Sequence, residues 1–440
     1  MANNKPQIRF QGHQEEWEEK TLGEMGKTFN GLSGKTKEDF GHGEAKFITY
    51  MNVFSNPIAS PKGVDNVEID KTQNEVKRGD ILFTTSSETP EEVGMSSVWL
   101  EDTPNTYLNS FCFGFRPDTK IDPFFSAYLM RSPKIRKDFY FLAQGISRFN
   151  ISKQKAMDIK TTIPKEKEQE KIGEFFRSLD ELIEAKEQEL EKLRQIKLAL
   201  LDGMFPSDEP DKLNRGGYNT LVNNILEMSD QLYISTSELN VPVIRFRGFT
   251  EPWKKVSLSE NATFSKGRGY SKADIKKTGT PILLYGSLYT NYNTSIEYVA
   301  SYADKKDGSI FSIGNEVVVP TSGETAEDIA RASAIYAKGI ILGGDLNIIY
   351  PNEDIDPTFL ALDITYGRNH KLLVKKAQGV SVVHLHNTDI QELDLVMPDK
   401  NEQKKIGDFF SEQDENIRSA QLQINKLRNI KQACMQKMFA

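Results

Sequence analysis

Glu168-Gln169-Glu170-Lys171-Ile172-Gly173-Glu174-Phe175-Phe176 returns 234 residues later as Glu402-Gln403-Lys404-Lys405-Ile406-Gly407-Asp408-Phe409-Phe410. The flanking sequence keeps that offset. Gln144-Gly145-Ile146-Ser147 matches Gln378-Gly379-Val380-Ser381, Pro164 matches Pro398, Asp180-Glu181 matches Asp414-Glu415, and Met204-Phe205 matches Met438-Phe439. A constant offset over roughly sixty residues marks a duplicated unit. The beginnings also agree: Ile8-Arg9-Phe10, Gly12, Trp17 and Leu22 pair with Ile244-Arg245-Phe246, Gly248, Trp253 and Leu258. In the middles, Gly79-Asp80-Ile81-Leu82 resembles Gly314-Asn315-Glu316-Val317, and Ser86 to Val93 resembles Thr321 to Ile329, while residues 30–75 and 265–305 share almost nothing. Similar ends around a divergent middle read as one scaffold carrying two recognition surfaces. The plainer reading is drift in loops.

Each copy closes in a stretch free of proline, Gln169 to Phe205 and Gln403 to Ala440, rich in Glu, Lys, Leu, Gln and Arg. These are good helix formers, and Pro164 and Pro398 stand where helices begin. Ile172, Phe176, Leu179, Ile183, Lys186, Leu190 and Leu193 in the first copy, and Ile406, Phe410, Gln413, Ile417, Ala420, Ile424 and Leu427 in the second, step by alternating four and three residues. That is the seam of a coiled coil. A run of that length spans about 55 Å. Two such helices in one chain can cover each other's seams, and antiparallel pairing would relate the copies by a pseudo-two-fold axis.

Strand-like runs at 80–84, 111–115, 316–319 and 339–342, with Asp-Pro helix starts at 122–123 and 356–357, predict an α+β chain. It holds two mixed α/β domains in tandem, at 1–163 and 244–397, joined by two long antiparallel coiled-coil helices at 164–205 and 398–440. Residues 206–243 form a linker, with a short helix expected from Leu221 to Leu232. Trp17 and Trp253 are expected in the cores.

The net charge of −7 argues against nucleic acid if taken whole. Much of the acid falls in the helix at 166–191, however, and a local basic face matters more than the total. No run of about 18 apolar residues or signal-peptide core is present, so a membrane is not expected. Cys112 and Cys434 belong to no metal-ligand spacing, which fits a reduced, cytoplasmic setting. There is no Gly-x-x-x-x-Gly-Lys-Ser/Thr loop, and no Asn/Asp-Pro-Pro-Tyr/Phe motif of adenine methyltransferases. Gly267-Arg268-Gly269-Tyr270 reads as a turn. His384 and His386 lack further ligands, so no metal is expected, and nothing combines nucleophile, base and orienter.

Two globular units, each opening on Arg-Phe-x-Gly and Trp and ending in Pro-x-x-x-Glu-Gln-x-Lys-Ile-Gly-x-Phe-Phe with a long helix, resemble the specificity subunit of type I restriction-modification enzymes. The resemblance covers nearly the whole chain. It implies a non-catalytic, sequence-specific DNA-binding subunit in which each domain reads one half of a bipartite asymmetric site. The helices would set the gap and dock two adenine methyltransferase subunits. S-adenosylmethionine would belong to those partners, ATP and magnesium to a motor-nuclease subunit, and no cofactor to this chain. Half-sites on one side of a duplex recur every 34–36 Å or so, which a helix pair of about 55 Å spans.

Base reading needs Arg, Lys, Asn, Gln, Ser or Thr at groove depth, and phosphates are met by Lys, Arg and hydroxyls. The DNA-binding candidates in the first domain are Lys35, Lys37, Lys46, Tyr50, Asn52, Ser86, Ser87, Glu88, Thr89, Ser147, Arg148, Asn150 and Lys153. In the second they are Lys266, Arg268, Tyr270, Lys272, Tyr285, Ser287, Tyr289, Asn291, Thr321, Ser322, Glu324, Thr325, Ser381, His384 and His386. A pure scaffold would show no basic face on the domains. An unrecognised nuclease would show metal-dependent activity in the isolated chain.

Overall fold

The computed structural model describes residues 5–205, 231–235, 241–290, 292–377, 379 and 382–439. They form two compact units, Met1–Glu187 with Leu422–Ala440, and Gln188–Gln421. The division falls inside both long helices, Glu166–Met204 and Lys400–Lys437, so each unit holds part of each.

In the first unit a four-stranded antiparallel sheet runs in the order Gly26–Asn30, Cys112–Pro117, Ile81–Thr84, Ser96–Val98. Side chains alternate across a strand. Ile81, Phe83, Phe113 and Phe115 therefore pack on one face with Trp17, Phe125, Phe139 and Phe176. Leu82 and Cys112 pack on the other with Ile48, Val53 and Trp99. A smaller sheet joins Val64–Val67, Phe40–Ile48 and Thr106–Leu108.

The second unit repeats the plan with a five-stranded sheet, Ala262–Lys266, Leu346–Pro351, Glu316–Pro320, Ser333–Ile335, Ser295–Ile296. Val317 and Val319 face a core with Trp253, Phe359 and Phe410, and Val318 and Ile348 face the opposite side. Ile81 lies opposite Phe115 and Val317 opposite Ile349. This makes Val317, not Glu316, the counterpart of Ile81. The sequence match at Gly79 and Gly314 is thus one residue out along these strands, and a slip of one would turn every side chain to the wrong face.

The repeated motif is explained by what it touches. Glu168 accepts two guanidinium N–H groups of Arg9 at 2.8 and 2.7 Å, and Glu402 accepts two of Arg245 at 2.7 and 2.8 Å. Only arginine supplies that planar fork, and it ties the opening of each copy to the start of its own helix. Gln169 accepts from the Asp122 backbone N–H at 2.9 Å and donates to the Pro164 carbonyl at 2.8 Å. Gln403 does the same with Asp356 and Pro398, at 2.9 and 3.0 Å. Asp122 and Asp356 in turn cap the helices Pro123–Leu129 and Pro357–Tyr366, accepting from Phe125 and Phe359 N–H at 2.7 and 3.0 Å. Gly173 and Gly407 let the long helices approach these caps. A Cβ at 173 would lie 2.6 Å from Asp122 Oδ1 and 2.7 Å from the Phe125 nitrogen.

Within the first unit, residues 166–187 run antiparallel to 422–437. Phe176 stacks on Phe439 with centroids 5.6 Å apart, Asp180 pairs with Lys431, and Glu187 with Arg428 at 2.6 Å. Within the second, Lys197 pairs with Asp414, and Arg194 donates to Gln421 at 3.2 Å. Asp180 with Lys431 and Asp414 with Lys197 are the same pair made by repeat-equivalent positions. Of the seam, Ile172 and Phe176 join the first core and Ile406 and Phe410 the second. Leu179, Ile183, Leu190 and Ile424 are buried, and Leu193, Ile417 and Leu427 half-buried.

The short helix expected to end at Leu232 is corrected at that residue. Leu232–Ile234 is a strand paired with Ile244–Phe246, and residues 206–230 and 236–240 lie outside the described residues. Among the described residues no helix is long and apolar enough to cross a membrane.

Candidate nucleic-acid interface

Each unit carries a pair of short strands beside its central sheet. In the first, Ser86–Ser87 pairs with Phe149–Asn150, and in the second, Ser322–Gly323 pairs with Val383–His384. A half-buried phenol supports each from below. Tyr50 donates to the Ser86 carbonyl at 2.6 Å and Tyr289 to the Ser322 carbonyl at 2.7 Å. Burial raises the pKa of both phenols, which keeps them protonated donors.

The loop entering the second strand is tightly closed. Gln144 and Asn150 exchange backbone hydrogen bonds at 3.0 and 2.9 Å. Gly145 sits at φ +151, where a Cβ would meet the Arg148 carbonyl oxygen at 2.0 Å, and Gly379 at φ +146 meets Val382 O in the same way at 1.9 Å. The tip exposes Ile146, Ser147 and Arg148, and the guanidinium of Arg148 lies 5.4 Å from the exposed Phe111 ring. Beside it, Glu88 and Thr89 are exposed. In the second unit Glu324 and Thr325 are exposed, Thr325 capping Ala326–Ile329, and Ser322 Oγ lies 3.2 Å from His384 Nδ1. Both units therefore present hydroxyls, a carboxylate and cationic or imidazole groups from one rigid frame, with different side chains.

The family model of the type I restriction modification DNA specificity domain matches residues 14–195 and 250–429. The chain belongs to this family. The two specificity domains correspond to the two copies of the repeat, and each match extends into a long helix. Among known proteins, the type I restriction enzyme MjaX specificity subunit of Methanocaldococcus jannaschii is 26% identical over 200 residues, 43% of this chain and 46% of that protein. The match thus spans about half of that relative's length. The S subunit of a type I restriction-modification system from M. genitalium is similar in fold, with TM-score 0.57, 13% identity and 99% of both chains covered. A chain from a structure of type I R-M complex assembly and conformational transition is similar at TM-score 0.53 and 13% identity, covering 96% of this chain and 97% of that one.

The specificity domains bring together some of the candidates and withdraw others. Glu88, Thr89, Ser147, Arg148, Asn150, Glu324, Thr325, His384 and His386 are exposed on or beside the paired strands. Thr321 is half-buried at their edge. Lys37, Lys46, Lys266, Arg268 and Lys272 are exposed elsewhere in their domains, Lys46 paired with Asn66.

Several candidates are corrected to internal roles. Asn52 is buried, donating to the carbonyls of Ser60 and Gly63 at 2.8 and 2.9 Å and accepting from Ser60 N–H. Ser86 and Ser87 are buried in the ladder, Ser87 donating to Glu92 at 3.0 Å. Tyr270 is buried and hydrogen-bonded to Ser309 at 2.6 Å, with Lys306 over its ring. Tyr50 and Tyr289 are the supports described above. Tyr285 is half-buried edge-on to Tyr289, and Ser287 is half-buried at the head of Ser287–Thr290. Lys35 is largely covered and ion-paired with Asp70 at 2.9 Å. Thr72 and Lys35 hold the Asp70 carboxyl well below the usual range. Lys153 stays at the surface, half-buried and donating to Asn30. Asn291 and Ser381 lie outside the described residues.

Sequence reading missed the charge of one segment. Residues 131–160 carry eight Lys and Arg against two Asp, although the chain as a whole is acidic. Counting charge in windows rather than over the chain would have found it. Exposed Phe111 and Ile146 beside Arg148 left no signal, because an apolar residue in a loop reads as core.

Proposed function

We propose that the chain is the DNA-reading subunit of a type I restriction-modification complex, with each specificity domain reading one half of a bipartite, asymmetric site. The carrying observation is the duplicated frame around the paired strands. The same tyrosine support and glycine-closed loop occur in both domains, but Ser147, Arg148 and Asn150 face outward in one and His384 and His386 in the other. Direct readout needs different donors and acceptors held at fixed depth, and such a frame supplies them. In the basic segment 131–160 the exposed Lys137, Arg148 and Lys155 support phosphate contact in the first domain.

On this reading the chain is a recognition component and the methyl-transfer chemistry belongs to its partners. The long helices, 39 and 38 residues, rise about 1.5 Å per residue and set the gap between half-sites. Leu182, Leu198, Leu422 and Ile430 are exposed on them, which suits docking of methyltransferase subunits.

The test is a whole-genome adenine-methylation map from cells carrying the partner methyltransferase, with and without this chain. A split, asymmetric motif that appears only with the chain is expected. No new motif from an assembled complex overturns the reading. Exchanging residues 8–163 should change one half of the motif, and a change in both halves refutes independent readers.

A further inference from the structure

The loop that follows the first paired strand is held from beneath by side chains of the next helix layer. In the first domain, Arg136, on Pro133–Leu142, donates to the carbonyls of Gly94, Glu91 and Val93 at 2.6, 2.7 and 2.6 Å. Arg131 donates to Ser96 O at 2.6 Å, and to Val53, Phe54 and Asn56 O at 3.0, 2.9 and 2.9 Å. None of these bonds goes to a carboxylate, so both guanidiniums are spent on backbone carbonyls.

The second domain meets the same backbone positions with other chemistry. By the helix offset, His370 stands for Arg136 and Thr365 for Arg131. By the strand pairing that equates Ile81 with Val317, Ala330 stands for Gly94 and Ala332 for Ser96. His370 Nδ1 lies 2.9 Å from Ala330 O, and Thr365 Oγ1 accepts from Ala332 N–H at 2.9 Å. A carbonyl only accepts, so Nδ1 carries the hydrogen. The packing beneath is exchanged in step. Gly94 at φ +64 leaves room for the Phe139 ring, which a Cβ would meet at 2.5 Å. The second domain has Ala330 and the smaller Leu373 at those places.

The side chains differ while the backbone points they hold do not. A group kept only to fill a core would be replaced by other core residues, whereas here His370 bonds the same carbonyl as Arg136, and Thr365 bonds the same residue as Arg131, through its N–H where Arg131 uses its carbonyl. We propose that Arg136 with Arg131, and His370 with Thr365, are positioning residues for base reading, fixing the depth at which residues 86–92 and 322–328 meet DNA. This rests on the reading given under Proposed function.

The experiment is the methylation map repeated in the full complex with Arg136→Met and, separately, His370→Phe. Mismatched sites are scored by position in each half of the motif. Losing a charge-assisted bond to a loop is worth roughly tenfold or more in an equilibrium. Arg136→Met is therefore expected to relax discrimination in the first domain's half-site about tenfold, leaving the second unchanged, and His370→Phe to do the reverse. Arg136→Lys and His370→Asn, which keep a donor, should recover part of it. Methylation that falls at all sites with the motif unaltered, or both halves relaxing together, overturns the proposal and leaves the residues as fold stabilisers. If Arg136→Met does not accumulate, Arg136→Lys and His370→Phe decide by the same criterion. A wild-type chain that confers no split motif fails the underlying reading instead, and is distinguished before any variant is made.

Discussion

In the second specificity domain the Arg245–Glu402 pair is enclosed, its side chains 3% and 0% exposed, while in the first the equivalent Arg9–Glu168 pair leaves Arg9 12% exposed. Glu168 also accepts from the Trp17 indole at 3.2 Å, whereas the Trp253 indole nitrogen has no hydrogen-bond partner among the described residues. One architectural bond is thus kept in two dielectric settings. A buried pair is weak evidence for added stability, but breaking one is costly because it strands a charge. The two copies should therefore tolerate the same lesion unequally.

The largest effect is expected at this pair. Glu402→Ala should destabilise the second unit by about 3–5 kcal/mol, and Glu168→Ala the first by about 1–3 kcal/mol. Hydrogen exchange in the central strands of each unit under rising urea would read both. Equal losses would mean that exposure of Arg9 makes no difference.

A second asymmetry is titratable. Leu129 of the first copy is replaced by Asp363, fully buried, its pKa pushed up to about 7 by desolvation although Asn369 donates to it at 2.5 Å. Folding takes up a proton wherever the folded pKa exceeds the unfolded one. Stability of the second unit should fall as pH rises from about 4 to 7, by on the order of 2–4 kcal/mol, and level off above. Asp363→Asn should flatten that slope, seen as a melting temperature independent of pH across the window. An unchanged slope would place the titration elsewhere.

The smallest effect separates two glycines. Gly407→Ala places a Cβ 3.2 Å from Asp356 Oδ1 and Thr358 Cβ, a contact that side chains can relieve, while Gly173→Ala presses on the Phe125 backbone nitrogen at 2.7 Å. Alanine is the better helix former by about 1 kcal/mol. Gly407→Ala should therefore be near neutral, and Gly173→Ala should cost about 1–3 kcal/mol by overpacking. Thermal unfolding of the two variants would check the order.

The frame was legible because its bonds recur. Glu168, Gln169, Gly173 and the Asp-Pro caps each appear twice at one offset, Arg9 recurs as Arg245 two residues beyond it, and every one proved to touch another member of the set. Trp17 and Trp253 were rightly expected in the cores. The reading surface was half legible. Residue type cannot separate a hydroxyl or amide facing DNA from one satisfying the backbone, which is why Asn52, Ser86, Ser87 and Tyr270 were expected outside and lie inside. Arg136 and His370 were invisible for the opposite reason. They share no chemistry, and only the strand register reveals that they hold equivalent carbonyls.

Phe439 stacks on Phe176 and packs against Phe125, deep in the core of the unit that also holds Trp17. The first specificity domain is therefore not finished when its own residues have left the ribosome. Phe176 and Phe125 gain this partner only once residues 422–439 have been synthesised, some 230 positions later. Contacts of such long sequence separation form late, so in this protein the domain translated first is the one completed last, and a chain cut short in its second half would carry a first half that cannot close.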